Sequence, residues 1–154
     1  MAVYKGFKED IEDGWIDNIY WDQPRSPTHM GKVVHEVADS FFEERFGVKA
    51  RTSTVICSTC KDQAYSYTDS GSGSLVEITE LSEGSTIIFS EQVDDLIAIR
   101  ASSNLGESTC PVEIRCWLEK KEYTEVDCIS KLPADFKGEV MIACKTLKVM
   151  NVQL

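Results

Sequence analysis

Residues 54–67 read TVICSTCKDQAYSY, an apolar run that ends in two hydroxyls and a thiol and passes directly into a short helical stretch. Hydroxyls at a strand-to-helix junction serve either as punctuation in a fold or as one wall of a nucleotide pocket. Other single polar residues stand at the edges of predicted strands: Arg25 after the first, Arg51 opening the second, Ser58-Thr59-Cys60 closing it, and Glu139 opening EVMIAC. Taken singly, Arg25 reads as a loop residue beside proline, Arg51 as an ion-pair partner and Glu139 as an exposed strand-edge carboxylate. Cys57 and Cys60 have the spacing of a metal or redox pair. A zinc ribbon needs a second close pair, which Cys110-x5-Cys116 does not supply. His29 and His35, six apart, cannot act as ligands at i,i+4.

Other site chemistries lack their residues. There is no GxxxxGK[ST] and no GxGxxG behind a strand, and Gly71-x-Gly73 precedes a strand as a turn. No GxSxG elbow occurs, and two histidines on one helix or its entrance leave little material for a Ser-His-Asp or Cys-His triad. The carboxylate pairs Asp94-Asp95 and Glu43-Glu44 are helix neighbours that point in different directions, as on a solvated face.

The elements that must position the candidates are legible in outline. Ile16, Ile19, Tyr20 and Trp21 suggest a first strand, followed by the extended path of Pro24 and Pro27. From Pro27 to Phe46, Val33, Val34, Val37, Ala38, Phe41 and Phe42 recur at three- and four-residue spacing, which predicts an amphipathic helix capped by Ser26 or Thr28 and stopped at Gly47. Strands are expected at 51–57, 74–79 and 85–89, with a small polar turn at 68–74. Ser90 is placed to cap a helix carrying Val93, Leu96, Ile97 and Arg100. Residues 112–131 read as partly helical, and strands are expected at 139–144 and 147–152. Helices and strands do not alternate strictly, so the expected fold is α+β, one domain over residues 1–154, with a mixed, mostly antiparallel sheet and flanking helices.

At 154 residues and 42% apolar content the chain can bury a core without metals or disulfides. Sixteen basic against 26 acidic residues give a net charge of −10, which opposes attraction to nucleic-acid phosphates or anionic lipid, and no basic stripe is visible. Direct nucleic-acid binding and membrane association are therefore not expected. The N-terminal MAVYKGFKEDIEDGW lacks the apolar core of a secretory signal, and the expected compartment is the cytoplasm, with the six cysteines as thiols.

The ordered set Arg25, Ser58-Thr59-Cys60 continued by Ala64-Tyr65-Ser66-Tyr67, and Glu139 in Gly138-Glu139-Val140-Met141-Ile142 is similar to the ADP-ribosyltransferase superfamily. There an Arg near the first strand, a Ser-Thr-Ser motif before a helix and a Glu opening a late strand line an NAD cleft. The stretch from Pro24-Arg25 through Phe46 to Arg51, then Ile88-Phe89-Ser90 to Leu96 and the final GEVMIAC, resembles small bacteriophage proteins of that kind. The resemblance covers most of the chain from about residue 15. It implies transfer of ADP-ribose from NAD to a host macromolecule, a protein, within an ADP-ribosyltransferase-like fold. Glu139 would be the catalytic acid beside the ribose, and Arg25, then Arg51, would bind the pyrophosphate. Ser58 and Thr59 would hold Arg25 or Glu139, and Tyr65 or Tyr67 would stack on nicotinamide. Cys60 stands where the motif has its second serine. Lys137, two residues before Glu139, leaves out the Glu-x-Glu pair of the arginine-modifying branch. A reading from a different class takes the −10 charge and small size as those of a non-enzymatic acidic protein, one that blocks a basic site on a host defence or nucleic-acid-processing complex.

Overall fold

A computed structural model describes residues 1–26, 31–95 and 110–153. The strands β1 (Tyr4–Phe7), β2 (Gly14–Asp17), β3 (Val55–Ser58), β4 (Ser74–Leu81), β5 (Thr86–Phe89), β6 (Thr124–Val126), β7 (Glu139–Ala143) and β8 (Thr146–Asn151) form one sheet in the order β2-β8-β4-β1-β3-β7-β5-β6. Every pairing in it is antiparallel. The architecture is therefore α+β, and the sheet has no parallel pair among the described residues. The helices among the described residues are α1 (Lys32–Phe46), α2 (Ala50–Ser53), α3 (Lys61–Tyr65) and α4 (Pro111–Lys120), with a 3-10 turn at Ile129–Lys131.

Side chains alternate across a strand, so the sheet carries a core on each face. On one face Ile88 and Met141 pack against Val34, Ala38, Phe41 and Phe42 of α1 and Ile114, Trp117 and Leu118 of α4. On the other, Val55, Cys57, Ile87, Phe89, Val140 and Ile142 join Leu132 and Phe136 from the segment before β7. Residues of β7 are buried along its whole length, as a strand covered on both sides must be.

α1 forms where its apolar spacing predicts, and Gly47 ends it in a left-handed conformation (φ 77°), its N–H bonded to Glu43 O at 2.9 Å. Its start differs from the expectation: the helix begins at Lys32 with Gly31 as N-cap, so Ser26 does not cap it, and the alternative cap Thr28 lies outside the described residues. The first strand expected at 16–21 is β2, which stops at Asp17 because the next four residues turn, Trp21 N–H bonding to Asn18 O at 3.1 Å. β1 precedes it and was hidden by the charged N-terminal run. Arg51 does not open a strand; it lies on α2, and β3 begins only at Val55. Ser90 does not start a helix over the following five residues. It forms a turn in which its Oγ accepts from Gln92 N at 3.1 Å, and Leu96, Ile97 and Arg100 lie outside the described residues.

α2 is too short to hold itself, because a helix of one turn leaves nearly all its N–H and C=O groups without internal partners. Tertiary contacts supply them. Asp39 of α1 accepts the N–H of Arg51 at 2.8 Å and of Thr52 at 3.2 Å, and it also takes the Thr52 hydroxyl. At the other end Arg25 Nη1 and Nη2 donate to Arg51 O and Thr54 O at 3.0 and 2.9 Å. Asn18 Nδ2 bridges Ser53 O and Cys144 O, both at 2.9 Å, which ties α2 to the end of β7. His35 Nε2 completes the cluster, 3.0 Å from Thr52 Oγ1 and 3.3 Å from Asp39 Oδ2.

Two consequences are testable. Burial holds the His35 imidazole below its ordinary value, against the opposing pull of Asp39. The unfolded chain thus takes up a proton near pH 6.5 that the folded chain refuses, so stability is full above that pH and falls as pH drops through it. Urea unfolding between neutral and mildly acidic pH should show this slope, and His35→Gln should flatten it. At Gly6 an added Cβ would lie 2.1 Å from Ala64 O. Gly6→Ala is therefore expected to push α3 off β1, at about 1–3 kcal/mol in the unfolding free energy.

Candidate functional site

β1 and β3 are neighbours through a single pair, Tyr4 with Ser58, and part beyond it. Lys5 fills the gap, its Nζ donating to Ile56 O at 3.0 Å in place of a ladder bond. The parted strands, with α3 against them, make a narrow cleft of about 20 Å³, partly open to solvent, whose walls include Lys5, Ser58, Gln63, Tyr67, Asp95 and Glu139. That volume holds about one water and is far below the ~300 Å³ at which small-molecule sites begin, so a larger ligand enters only if the strands part further.

Glu139 is brought to the cleft by register: it opens β7 directly opposite Ser58, the last residue of β3. It is only 9% exposed, and its Oε1 lies 2.6 Å from Arg51 Nη1. Arg51 Nη1 also meets Met141 Sδ at 3.3 Å. Glu139 is thus a buried, oriented carboxylate rather than the exposed strand-edge acid that it resembles in isolation, and Arg51 is an ion-pair partner. A buried pair of this kind survives desolvation only with close geometry and further bonds, which α2 and its caps provide.

Ser58 and Thr59 act on the approach to Glu139. Thr59 Oγ1 donates to Phe136 O at 2.8 Å and accepts Gly138 N at 3.0 Å, while Thr59 N–H bonds to Gly138 O at 3.0 Å. Ser58 Oγ donates to Gln63 Oε1 and accepts Cys60 N at 2.9 Å. From the other side Glu139 N–H bonds to Asp94 O at 2.7 Å, and Gln63 Nε2 bonds to the same carbonyl at 3.1 Å. A side chain at Gly138 would come within 2.9 Å of Asp94 Cα. The hydroxyls therefore fix the backbone that delivers Glu139: among the described residues they bond to that backbone, to Gln63 and to Cys60 N–H, and not to Arg25.

Arg25 packs its guanidinium 3.9 Å from the centre of the Tyr20 ring and donates to the α2 carbonyls. It senses Glu139 and Arg51 electrostatically, and burial lowers its pKa. Arg25 is thus placed to position Arg51. Tyr67 lies at the rim, 44% exposed, with its phenol pKa raised first by burial and then by Asp95 and Glu139. Tyr65 is also exposed, its hydroxyl near Gly71. Lys5 and Gln63 carry no site signal in the sequence, and Asp95 reads there only as half of a carboxylate pair on a solvated helix face. Lys5 leaves only a strand pattern, the alternation Val3-Lys5-Phe7 with Gly6 between, carrying one inward cation. Burial pushes the Lys5 ammonium below its ordinary value, Arg25 acts the same way, and Cys57 and Glu139 oppose them.

The cysteine pair is unsuited to chemistry. Cys57 is buried, and burial pushes its thiol up to about 12, away from the reactive thiolate. Among the described residues no group of three His, Cys, Asp or Glu side chains could hold a metal ion, and no helix is long and apolar enough to cross a membrane. The Tyr123 hydroxyl, buried beneath Glu139 and Arg51 in the electrostatic field of both, has no hydrogen-bond partner among the described residues.

Comparison of the chain with protein-family models, curated proteins and solved structures gives no match.

Proposed function

We propose that the cleft between β1 and β3 widens to admit the nicotinamide-ribose end of NAD and that the protein transfers ADP-ribose to a host protein. The observation that supports this most is the placing of Glu139. A carboxylate held by Arg51 stands in the wall of a small cleft, opposite a hydroxyl residue and beside an aromatic rim. In the reaction the bond from ribose C1′ to the nicotinamide nitrogen breaks, its electron pair neutralises the pyridinium, and the sugar gains oxocarbenium character. Glu139 stabilises that positive charge and orients the neighbouring hydroxyl. A lone pair of the acceptor side chain then bonds to C1′ and its proton is released. Tyr67 at the rim is placed to stack on the leaving ring. Arg51 aims Glu139, and Arg25 and Asp39 hold Arg51. Lys5 and Arg25, with Arg51 already paired to Glu139, are the cations offered to the cofactor's diphosphate, and Asp95 in the cleft wall opposes them.

Purified protein with millimolar NAD is expected to release nicotinamide, and Glu139→Gln to slow the release by about 10²–10³. Glutamine keeps the volume and a hydrogen bond to Arg51 but not the compensating charge, so this variant should melt below wild type though above Glu139→Ala, and the rates are compared at a temperature where both proteins are folded. Glu139→Ala leaves the Arg51 guanidinium buried and unpaired and should lower the unfolding free energy by about 3–5 kcal/mol. If NAD neither raises the melting temperature nor is consumed by wild type, the proposed activity is wrong.

A further inference from the structure

Among the described residues β2 is the outermost strand at one end of the sheet, paired on one side only, with β8. Asn18 N–H bonds to Lys145 O at 2.9 Å, and the pairing continues as Ile16 with Leu147. By the alternation of an antiparallel ladder, the backbone groups of Trp15 and Asp17 then point away from β8. An open row of N–H and C=O groups is a template for another strand. Proteins blunt such edges with inward charges, proline or a covering loop. Here the edge instead displays Trp15 and, in the turn after it, Ile19 and Trp21, which are 52%, 64% and 49% exposed. Exposed large apolar residues concentrated beside an unpaired edge mark a contact surface.

Charge selects the occupant. Between Glu9 and Asp22 there are six carboxylates, all exposed, and no Lys or Arg. Against these six stand nearby cations: Lys148, opposite Trp15 and 3.9 Å from Glu80, Lys145, whose carbonyl takes the Asn18 N–H, and Arg25, which stacks on Tyr20 and bonds to α2. A second copy of the chain would set these carboxylates against its own, and nucleic acid or an anionic membrane would be repelled in the same way. A basic chain would be attracted, and Lys or Arg side chains additionally favour the faces of exposed tryptophans.

We infer that the β2 edge docks an extended, basic segment of a partner protein, which adds a ninth strand to the sheet through the outward backbone groups of Trp15 and Asp17. Backbone pairing supplies affinity, and alternate side chains supply specificity against the tryptophans and the acidic flank. The inference stands apart from the NAD reading, since β2 and the cleft are separated in the sheet by β8, β4 and β1.

The test is a fluorescence titration of the intact protein with a synthetic peptide of alternating lysine and valine. Trp15 and Trp21 are the exposed tryptophans, so binding should change the emission. The lysine-valine peptide should bind, more weakly at high salt. An equivalent glutamate-valine peptide should not. Methylating alternate backbone nitrogens of the lysine-valine peptide should abolish binding, and Trp15→Ala should weaken it by about tenfold or more. A far-ultraviolet spectrum and NAD-binding titration of Trp15→Ala should match wild type, which separates this surface from the cleft. The inference is overturned if the lysine-valine peptide does not bind, if the methylated peptide or the Trp15→Ala variant binds equally well, or if the free protein dimerises through this edge.

Discussion

The site depends on keeping one ion pair dry. Removing a carboxylate and a guanidinium from water costs several kcal/mol for each, and their attraction offsets this only where the partners are held close and their remaining bonding groups are used. The Arg51–Glu139 contact of 2.6 Å meets the first condition. The second explains why so much of the chain converges on α2, a four-residue helix that would not exist in isolation. Asp39 fixes the backbone from which the Arg51 side chain extends, Arg25 and Asn18 bind its carbonyls, and Met141 receives the same Nη1 that holds Glu139. A loose α2 would let the guanidinium swing away and leave Glu139 buried and uncompensated.

The opposite partner is fixed from the sheet. Register alone sets Glu139 across from Ser58, and the two faces of β7 belong to different cores, so a shift by one residue would place Glu139 among Leu132 and Phe136 and put Val140 against the guanidinium. The Thr59 bonds to Phe136 and Gly138 and the Asp94 bond to Glu139 clamp the residues just before the strand and oppose that slip. The hydroxyl motif thus works through backbone geometry.

What could be read from the sequence follows from where the stabilising information is stored. α1 and β7 carry theirs locally, as an apolar stripe ended by Gly47 and as an uninterrupted apolar run after Glu139; β7 and the end of α1 lie at the expected bounds, while α1 starts at Lys32, five residues after Pro27. The Ser58-Thr59-Cys60 junction and the short α3 behind it were legible for the same reason. α2 was taken as strand because Ala50–Ser53 has no periodicity of its own and its partners lie 12 to 35 residues away in the chain. β1 was missed because Lys5 and Gly6 break its apolar alternation, and both breaks are functional: the lysine spans the opening between strands, and the missing Cβ lets α3 approach. The pairing of Arg51 with Glu139, across 88 residues, leaves no trace in either local stretch.

The distribution of charge then separates two surfaces of one chain. Around Glu139 the cations Lys5, Arg25 and Arg51 meet the carboxylates Glu139, Asp95 and Asp39, so both signs are present, whereas the run from Glu9 to Asp22 holds carboxylates alone. Net charge acts at long range and is screened beyond about 8–10 Å in physiological salt, so it governs encounter with large partners and hardly reaches a ligand seated in the cleft. A net charge of −10 therefore need not repel a small anion from groups a few ångströms away, while the field of the whole acidic edge acts on large molecules. The sheet creates the two settings: where β1 and β3 part it opens a narrow cleft lined by fixed side chains, and where it ends at β2 it leaves, among the described residues, one row of backbone groups without a neighbouring strand.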